Sequence, residues 1–262
     1  MAEPSIVFLM YHELEQSGRA LCHSEPGYVR YVLRAEDFQA QMMFLQNHGW
    51  RGVSVSEALR FPEHKTVAVT FDDGSETDLT CAAPVLRQLG LGATFYITAG
   101  WLGQNGYLSQ SQLRELSALG FEIGCHSMTH AYLTDLDESG LQSEIAEAKL
   151  LLEQIIGKPV EHFSCPGGRF DQRVANAARQ AGYRSVATSR IQANSKSVDP
   201  FSLGRIAIMR ATSLHEFEEL CSGRGLWQSR MRLKLLAASR NLLGNSTYDR
   251  LRNIVLRQRT PE

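Results

Sequence analysis

The sequence contains no Cys-x-x-Cys, no Gly-x-Gly-x-x-Gly and no run of about 20 apolar residues. Each absence removes a class of protein. The five cysteines, Cys22, Cys81, Cys125, Cys165 and Cys221, are scattered and odd in number. They read as reduced thiols, not as a disulfide framework or a paired-cysteine metal site. Without the glycine-rich fingerprint, the usual dinucleotide-binding loop is excluded. The apolar run Ile6 to Met10 is too short for a signal sequence, and Met1 to Ser5 lacks a basic region. The expectation is a cytoplasmic chain. Net charge is only −1, so bulk electrostatics name no partner. No internal repeat or low-complexity segment appears.

What is present is an ordinary globular composition, 43% hydrophobic and 21% charged over 262 residues. That supports a packed core in one large α/β domain or two small ones. Charge is unevenly placed. Residues 224–262 carry +7 and the remainder −8. The chain therefore divides into 1–222, with alternating elements, and a basic helical extension over 223–262. Basic amphipathic helices bind anionic lipid surfaces, so residues 224–262 are a candidate peripheral membrane contact on the cytoplasmic face. The other reading is a helix pair packed on the domain with a solvated arginine face. No aromatic-basic platform accompanies the charge, which argues against nucleic acid.

Hydrophobic patterning predicts strands at 6–11, 53–55, 66–71, 93–97, 121–125, 162–164, 185–188 and 206–208. Helices are expected over 35–47, 78–89, 109–119, 137–156, 171–181 and 213–221, with Ser56 capping a further short one. Residues 16–34 read as a long loop of the kind that often carries function. The alternation is that of parallel β/α architecture. His12, Asp72/Asp73, His126 and the segment Pro166 to Arg169 each follow a different strand. Functional residues at several strand ends favour a β/α barrel over an open sheet.

The strand at 66–71 delivers two adjacent acids, Asp72 and Asp73, followed by Gly74. Like charges at close range raise each other's pKa. A bound cation is the simplest relief, with one Asp as ligand and the other free for proton chemistry. A plain Asp-Asp-Gly turn is the alternative. His126 and His130 are four residues apart, a spacing that on a helical turn suits one metal ion. Two His and one Asp make a facial set that leaves positions open for water and substrate.

Thr70-Phe71-Asp72-Asp73-Gly74, followed by His126-Ser-x-x-His130, resembles the polysaccharide deacetylases of the NodB-homology group, carbohydrate esterase family four. The resemblance covers roughly residues 5–220. It implies a distorted (β/α) barrel and metal-dependent removal of N-acetyl groups from an N-acetylated sugar or glycan, either a polysaccharide or a lipid-linked precursor. Carried over position by position, Asp72 is the general base, and Asp73, His126 and His130 are the metal ligands. Imidazole and carboxylate suit Zn2+, with Ni2+, Co2+ and Fe2+ as alternatives.

Two family features are missing. Where many members carry Arg-x-Pro-Pro-Tyr, this chain has Ser164-Cys165-Pro166-Gly167-Gly168-Arg169-Phe170. Pro166 and Gly168 keep the turn chemistry, and Arg169 is the candidate to replace the lost arginine. The C-terminal Leu-x-His, which usually supplies the acid, is also absent. Met10-Tyr11-His12 resembles the opening of the poly-N-acetylglucosamine deacetylase subgroup, and His12 becomes the candidate acid or substrate contact. Tyr96 and Trp101 are candidates for a sugar subsite, with the core as the alternative for Tyr96. His23, His48, His64, His162 and His215 have no spacing that recommends them. Two other readings stand beside the leading one: a C–N hydrolase acting on a small amide or imide, and a non-catalytic glycan-binding barrel.

Overall fold

A computed structural model describes residues 5–60, 64–224 and 226. Among these residues the strands are β1 (Ser5–Tyr11), β2 (Leu14–Glu15), β3 (Leu33–Arg34), β4 (Arg51–Val53), β5 (Thr66–Phe71), β6 (Thr94–Ile97), β7 (Glu122–Cys125), β8 (His162–Ser164), β9 (Ser185–Ala187), β10 (Asn194–Ser195) and β11 (Ile206–Ala207). The main sheet runs β10-β1-β5-β6-β7-β8-β9, with β4 paired to β5 and β11 to β1. Apart from the antiparallel β1–β10 pair, its pairings are parallel. The parallel strands are near-continuous apolar runs. Every residue of β5 is buried, as expected where helices cover the outside and side chains fill the inside.

The sheet curls until its far strand returns to its first. Leu203 bridges Ala187 of β9, with Thr188 N–H donating to Leu203 O at 2.8 Å. Three residues later Ile206 pairs with Leu9 of β1. The predicted distorted barrel is thus a curled parallel sheet whose last strand is broken at Gly204-Arg205. Ile6, Phe8, Val53, Ala68, Tyr96, Ala187 and Leu203 form an interior cluster.

Four of the expected helix starts rest on a side-chain cap that the structure shows. Ser109 and Ser213 each make a reciprocal box with Gln112 and Glu216. Asp137 and Asp171 accept from Gly140 and Val174 N–H. Three expectations change. The short helix begins at Val55, and Ser54, not Ser56, accepts from Glu57 N–H. The helix expected from Asp78 opens as a π-turn, Asp78–Ala82. The long helix over 137–156 is interrupted by a second π-turn, Ser143–Glu147, where adjacent Glu144 and Ile145 are both buried. No helix among the described residues is long and apolar enough to cross a membrane. The basic extension predicted over 223–262 lies almost wholly outside the described residues.

Candidate metal centre

β5 ends at Phe71, and the next two residues turn into the mouth of the barrel. Asp72 keeps the ladder, its N–H donating to Tyr11 O at 3.0 Å. Asp73 leaves it with a φ of 81°. β7 ends at Cys125 beside it. His126 N–H still donates to Ile97 O at 2.8 Å, and then the chain turns through Ser127 and His130 at φ 69° and 64°. The residues from 126 to 130 are therefore not the helical turn that the i, i+4 spacing suggested. Both imidazoles reach one point through left-handed backbone instead. Four non-glycine residues among the described ones have positive φ, and three of them are Asp73, Ser127 and His130. Each such conformation costs on the order of 1–3 kcal/mol and persists only where its surroundings enforce it.

The enforced geometry is a three-donor cluster. Asp73 Oδ1 lies 3.5 Å from His126 Nε2 and 3.5 Å from His130 Nε2. The three donor atoms fall within 4.8 Å of one another. His126 Nδ1 is 2.9 Å from Ser164 O, which makes Nδ1 the protonated nitrogen and leaves the Nε2 lone pair facing the cluster. Burial pushes His126 down to about 3 and also lowers His130, so both rings are neutral. Burial pushes Asp73 up to about 6; His12 opposes the rise and Asp72 adds to it. Asp73 Oδ1 is buried without a hydrogen-bond partner. An orphaned carboxylate oxygen facing two neutral imidazole nitrogens fits a divalent cation, and Asp73, His126 and His130 are the residues that could hold it.

Asp72 has a different environment. Its oxygens accept two parallel bonds from Arg205, Nη1 to Oδ1 and Nη2 to Oδ2, each 2.7 Å. Arg205 is 1% exposed. Its remaining donors go to Thr188 O at 3.2 Å, Thr70 Oγ1 at 3.3 Å and Ser164 Oγ at 2.7 Å. Burial alone would raise the Asp72 pKa. The charge and bonds of Arg205, together with the His126 and His12 charges, overcome burial and hold the carboxylate well below its usual range. The two neighbouring acids are thus driven apart, one pinned as an anion and one left for a cation.

The arginine expected after β8 is therefore Arg205, and Arg169 is not its replacement. Arg169 is exposed, 3.3 Å from Asp135, with its guanidinium 4.0 Å from the Tyr132 ring centre. Tyr96 is also corrected. It is 0% exposed, and its ring lies where a Cβ on Gly124 would come within 2.4 Å. It is a core residue, not a cleft contact. Pro166 is buried, while Gly167 and Gly168 turn at φ 59° and 66°. A Cβ on Gly168 would meet Ser189 Oγ at 2.3 Å, so the turn requires glycine there.

His12 directly follows β1. Its ring centre is 4.9 Å from Tyr31, its Nδ1 is buried and unpartnered, and its charge acts on both Asp72 and Asp73. The loop that follows is tied down by buried Glu13, which accepts from Arg19, from Cys22 N–H at 3.0 Å and from Tyr28 Oη at 3.0 Å. This brings His23 to 3.0 Å from Tyr107 Oη. Trp101 lies beside it and stacks on His130 at 5.0 Å between ring centres. His23, Tyr28, Trp101 and Tyr107 make an aromatic wall next to the three candidate donors. His23 had no signal in sequence, because the loop alone places it.

Residues 60–186 match the polysaccharide deacetylase family. The peptidoglycan-N-acetylglucosamine deacetylase of Bacillus cereus is 34% identical over 123 residues, which are 47% of this chain and 55% of that one. This chain thus spans about half of that relative's length. YxkH of Bacillus subtilis (strain 168), a protein named for the same family, is 28% identical over 206 residues, covering 76% of this chain and 70% of that one. Among solved structures, the Streptococcus pyogenes deacetylase PplD in complex with acetate superposes with a TM-score of 0.75. It covers 84% of this chain and 99% of its own at 21% identity, a likeness of fold.

Proposed function

The chain belongs to the polysaccharide deacetylase family of the NodB-homology type, and from that premise we propose that it is a metal-dependent hydrolase removing acetyl groups from N-acetylated sugar units of a glycan. The observation that carries this reading is the contrast within one pair of acids: Asp72 is clamped by Arg205, and Asp73 has an unpartnered Oδ1 facing His126 and His130. Asp73, His126 and His130 hold the cation, with Zn2+ the first candidate for an N2O donor set. When bound, it supplies Lewis acidity toward an acetamide carbonyl and toward a water.

The chain's own residues do the rest. Asp72, ionised and held in one orientation, takes the proton of the attacking water at a carboxylate oxygen. His12 gives a proton to the departing amine, so that amide and water become amine and acetate. The aromatic wall of Trp101, Tyr107, Tyr28 and His23 supports a sugar ring as the group presented beside the cation. The experiment is acetate release from N-acetylglucosamine oligomers, with and without chelator. Release that depends on metal is the expected result. Turnover confined to small cyclic amides, or sugar binding without turnover, overturns it.

For residues 224–262 the net charge of +7 supports a peripheral contact with an anionic membrane surface on the cytoplasmic face. That placement suits a lipid-linked glycan precursor as substrate. Flotation with anionic vesicles tests it. Loss of binding on deleting 224–262 is expected, and no binding by the full chain at moderate salt sinks it.

A further inference from the structure

We propose that Glu144, which touches neither acid nor imidazole of the site by hydrogen bond, is a positioning residue that sets the metal affinity of His130. The inference rests on the reading of Asp73, His126 and His130 as a metal centre. It concerns how the third ligand is held.

His130 sits at the end of a turn that sequence alone would not build. Its backbone and that of Ser127 are left-handed, a conformation that side-chain-bearing residues rarely adopt unaided. Three successive N–H groups in this turn have no strand or helix to bond with, and each is taken by a side chain. Met128 and Thr129 N–H donate to Glu144 Oε2 at 3.0 and 2.9 Å. The Thr129 hydroxyl donates to the other oxygen, Glu144 Oε1. His130 N–H donates to Ser127 Oγ at 3.0 Å. The opposite edge of the turn is tied to the segment after β6: Ala99 and Gly100 N–H donate to Ser127 and Met128 O at 3.0 and 2.8 Å. Gly100 is required there, because a Cβ would meet Met128 O at 2.6 Å.

Glu144 is thus the one charged group gripping the turn, and it is 7% exposed. It projects from the π-turn Ser143–Glu147, where it and the adjacent Ile145 are both buried. Groups that orient ligands in this way typically change metal affinity about 10–100-fold when removed.

The test is the Zn2+ affinity of the full chain, measured by competition with a chromophoric chelator, for wild type, E144A, E144Q and T129A. E144A is expected to bind Zn2+ about 10–100-fold more weakly while still folding, as judged by circular dichroism. E144Q keeps an amide oxygen for the Met128 and Thr129 N–H groups, so it is expected to recover most of that loss. A role in the general stability of the helix would give no such rescue of metal affinity. Wild-type affinity in E144A, or an E144Q as weak as E144A, overturns the proposal. If E144A does not fold, T129A removes one of the three bonds without touching the helix. It should weaken Zn2+ binding measurably, and an unchanged affinity overturns the proposal. A wild-type chain with no Zn2+ affinity is a different result, since it removes the metal centre itself.

Discussion

Arg205 and Asp72 are 133 residues apart in sequence, and they meet in the barrel interior through two parallel 2.7 Å bonds. The pair is buried on both sides, with side-chain exposures of 0% and 3%. Removing one member of such a pair leaves the other as an uncompensated buried charge. R205A is therefore expected to lose about 3–5 kcal/mol of stability and most soluble expression. R205K keeps the charge but cannot form the planar fork. It should remain folded and lose activity about 10–100-fold, with the larger effect on kcat, because the orientation of Asp72 is what changes. Thermal melts and acetate-release kinetics on the two variants check both halves. An R205K enzyme with wild-type kcat would remove the orienting role.

Arg169 gives the matching control. It is half exposed and engaged with Asp135 and Tyr132, away from Asp72. An exposed ion pair of this kind contributes about 0–1 kcal/mol. R169A is expected to leave kcat within about twofold of wild type and Tm within about 2 °C. A large fall in kcat on short oligomers would return Arg169 to the catalytic centre.

The contrast between these arginines shows what the sequence could and could not display. The strands were legible because their apolar runs are unbroken and bounded by glycine or polar caps, as at Thr66–Phe71. Asp72, Asp73, His126 and His130 are legible because each pair lies within a short string of sequence. Arg205 was not, because its function lies in a partner on another strand, and Gly204-Arg205-Ile206 looks like any polar lead into a strand. The one available signal was a lone cation between two apolar segments that must both be buried. Arg169 is the cation nearest in sequence to the altered turn, but its region is held at the surface by the Asp171 helix cap and by Asp135. The i, i+4 histidines were read correctly as a pair and wrongly as a helix. Left-handed backbone at Ser127 and His130 depends on Glu144, Ala99 and Gly100, and none of these is local.

In the proposed reaction His12 delivers the proton to the departing amine. Its Nδ1 is buried and unpartnered, and it lies outside the three-donor cluster. H12A is expected to lower kcat about 10²–10⁴-fold, the usual range for a lost acid–base group. Metal content should stay at the wild-type stoichiometry. Both are read on one preparation, by acetate release and by elemental analysis. A variant that turns over at the wild-type rate, or one that loses its metal, would take the acid role away from His12.

A further partly buried carboxylate, Glu122, sits at the start of β7 beside His162. Glu122 accepts from Thr94 and from Ser56 N–H at 3.2 Å, and its Oε1 is 3.6 Å from His162 Nε2. Burial would raise its pKa. The nearby His162, with the Ser56 and Thr94 bonds, overcomes burial and brings Glu122 from 4.5 down to about 2. A carboxyl with a depressed folded pKa contributes stability above its unfolded pKa and loses it as pH falls toward the folded value. Wild type should therefore lose stability as pH falls from about 4.5 toward about 2, with Glu122 supplying part of that slope. E122Q should be less stable near neutral pH by about 1.5–3 kcal/mol and should show a shallower acid slope in that window. Melting curves at matched ionic strength decide it, and parallel pH profiles for the two proteins would refute the assignment.

Sequence leaves Tyr96 either a sugar-subsite or a core residue, and its surroundings decide for the core. The ring belongs to the interior cluster with Ile6, Phe8 and Leu203, and its hydroxyl is buried with no partner. An unsatisfied buried hydroxyl costs about 1–3 kcal/mol of desolvation, part of which the aromatic ring's burial offsets. Y96F removes the hydroxyl and keeps the ring that fills the space over Gly124. Its expected stability is equal to or up to about 1 kcal/mol above wild type, a rise of up to about 4 °C in Tm for a chain of this size. The Arg205 guanidinium lies 5.4 Å from the ring centre and keeps its own five hydrogen bonds, so kcat and KM should not change. A Y96F variant with intact folding and a raised KM for N-acetylglucosamine oligomers would show that the hydroxyl reaches substrate after all. A lowered Tm would show that it has a hydrogen-bond partner worth keeping.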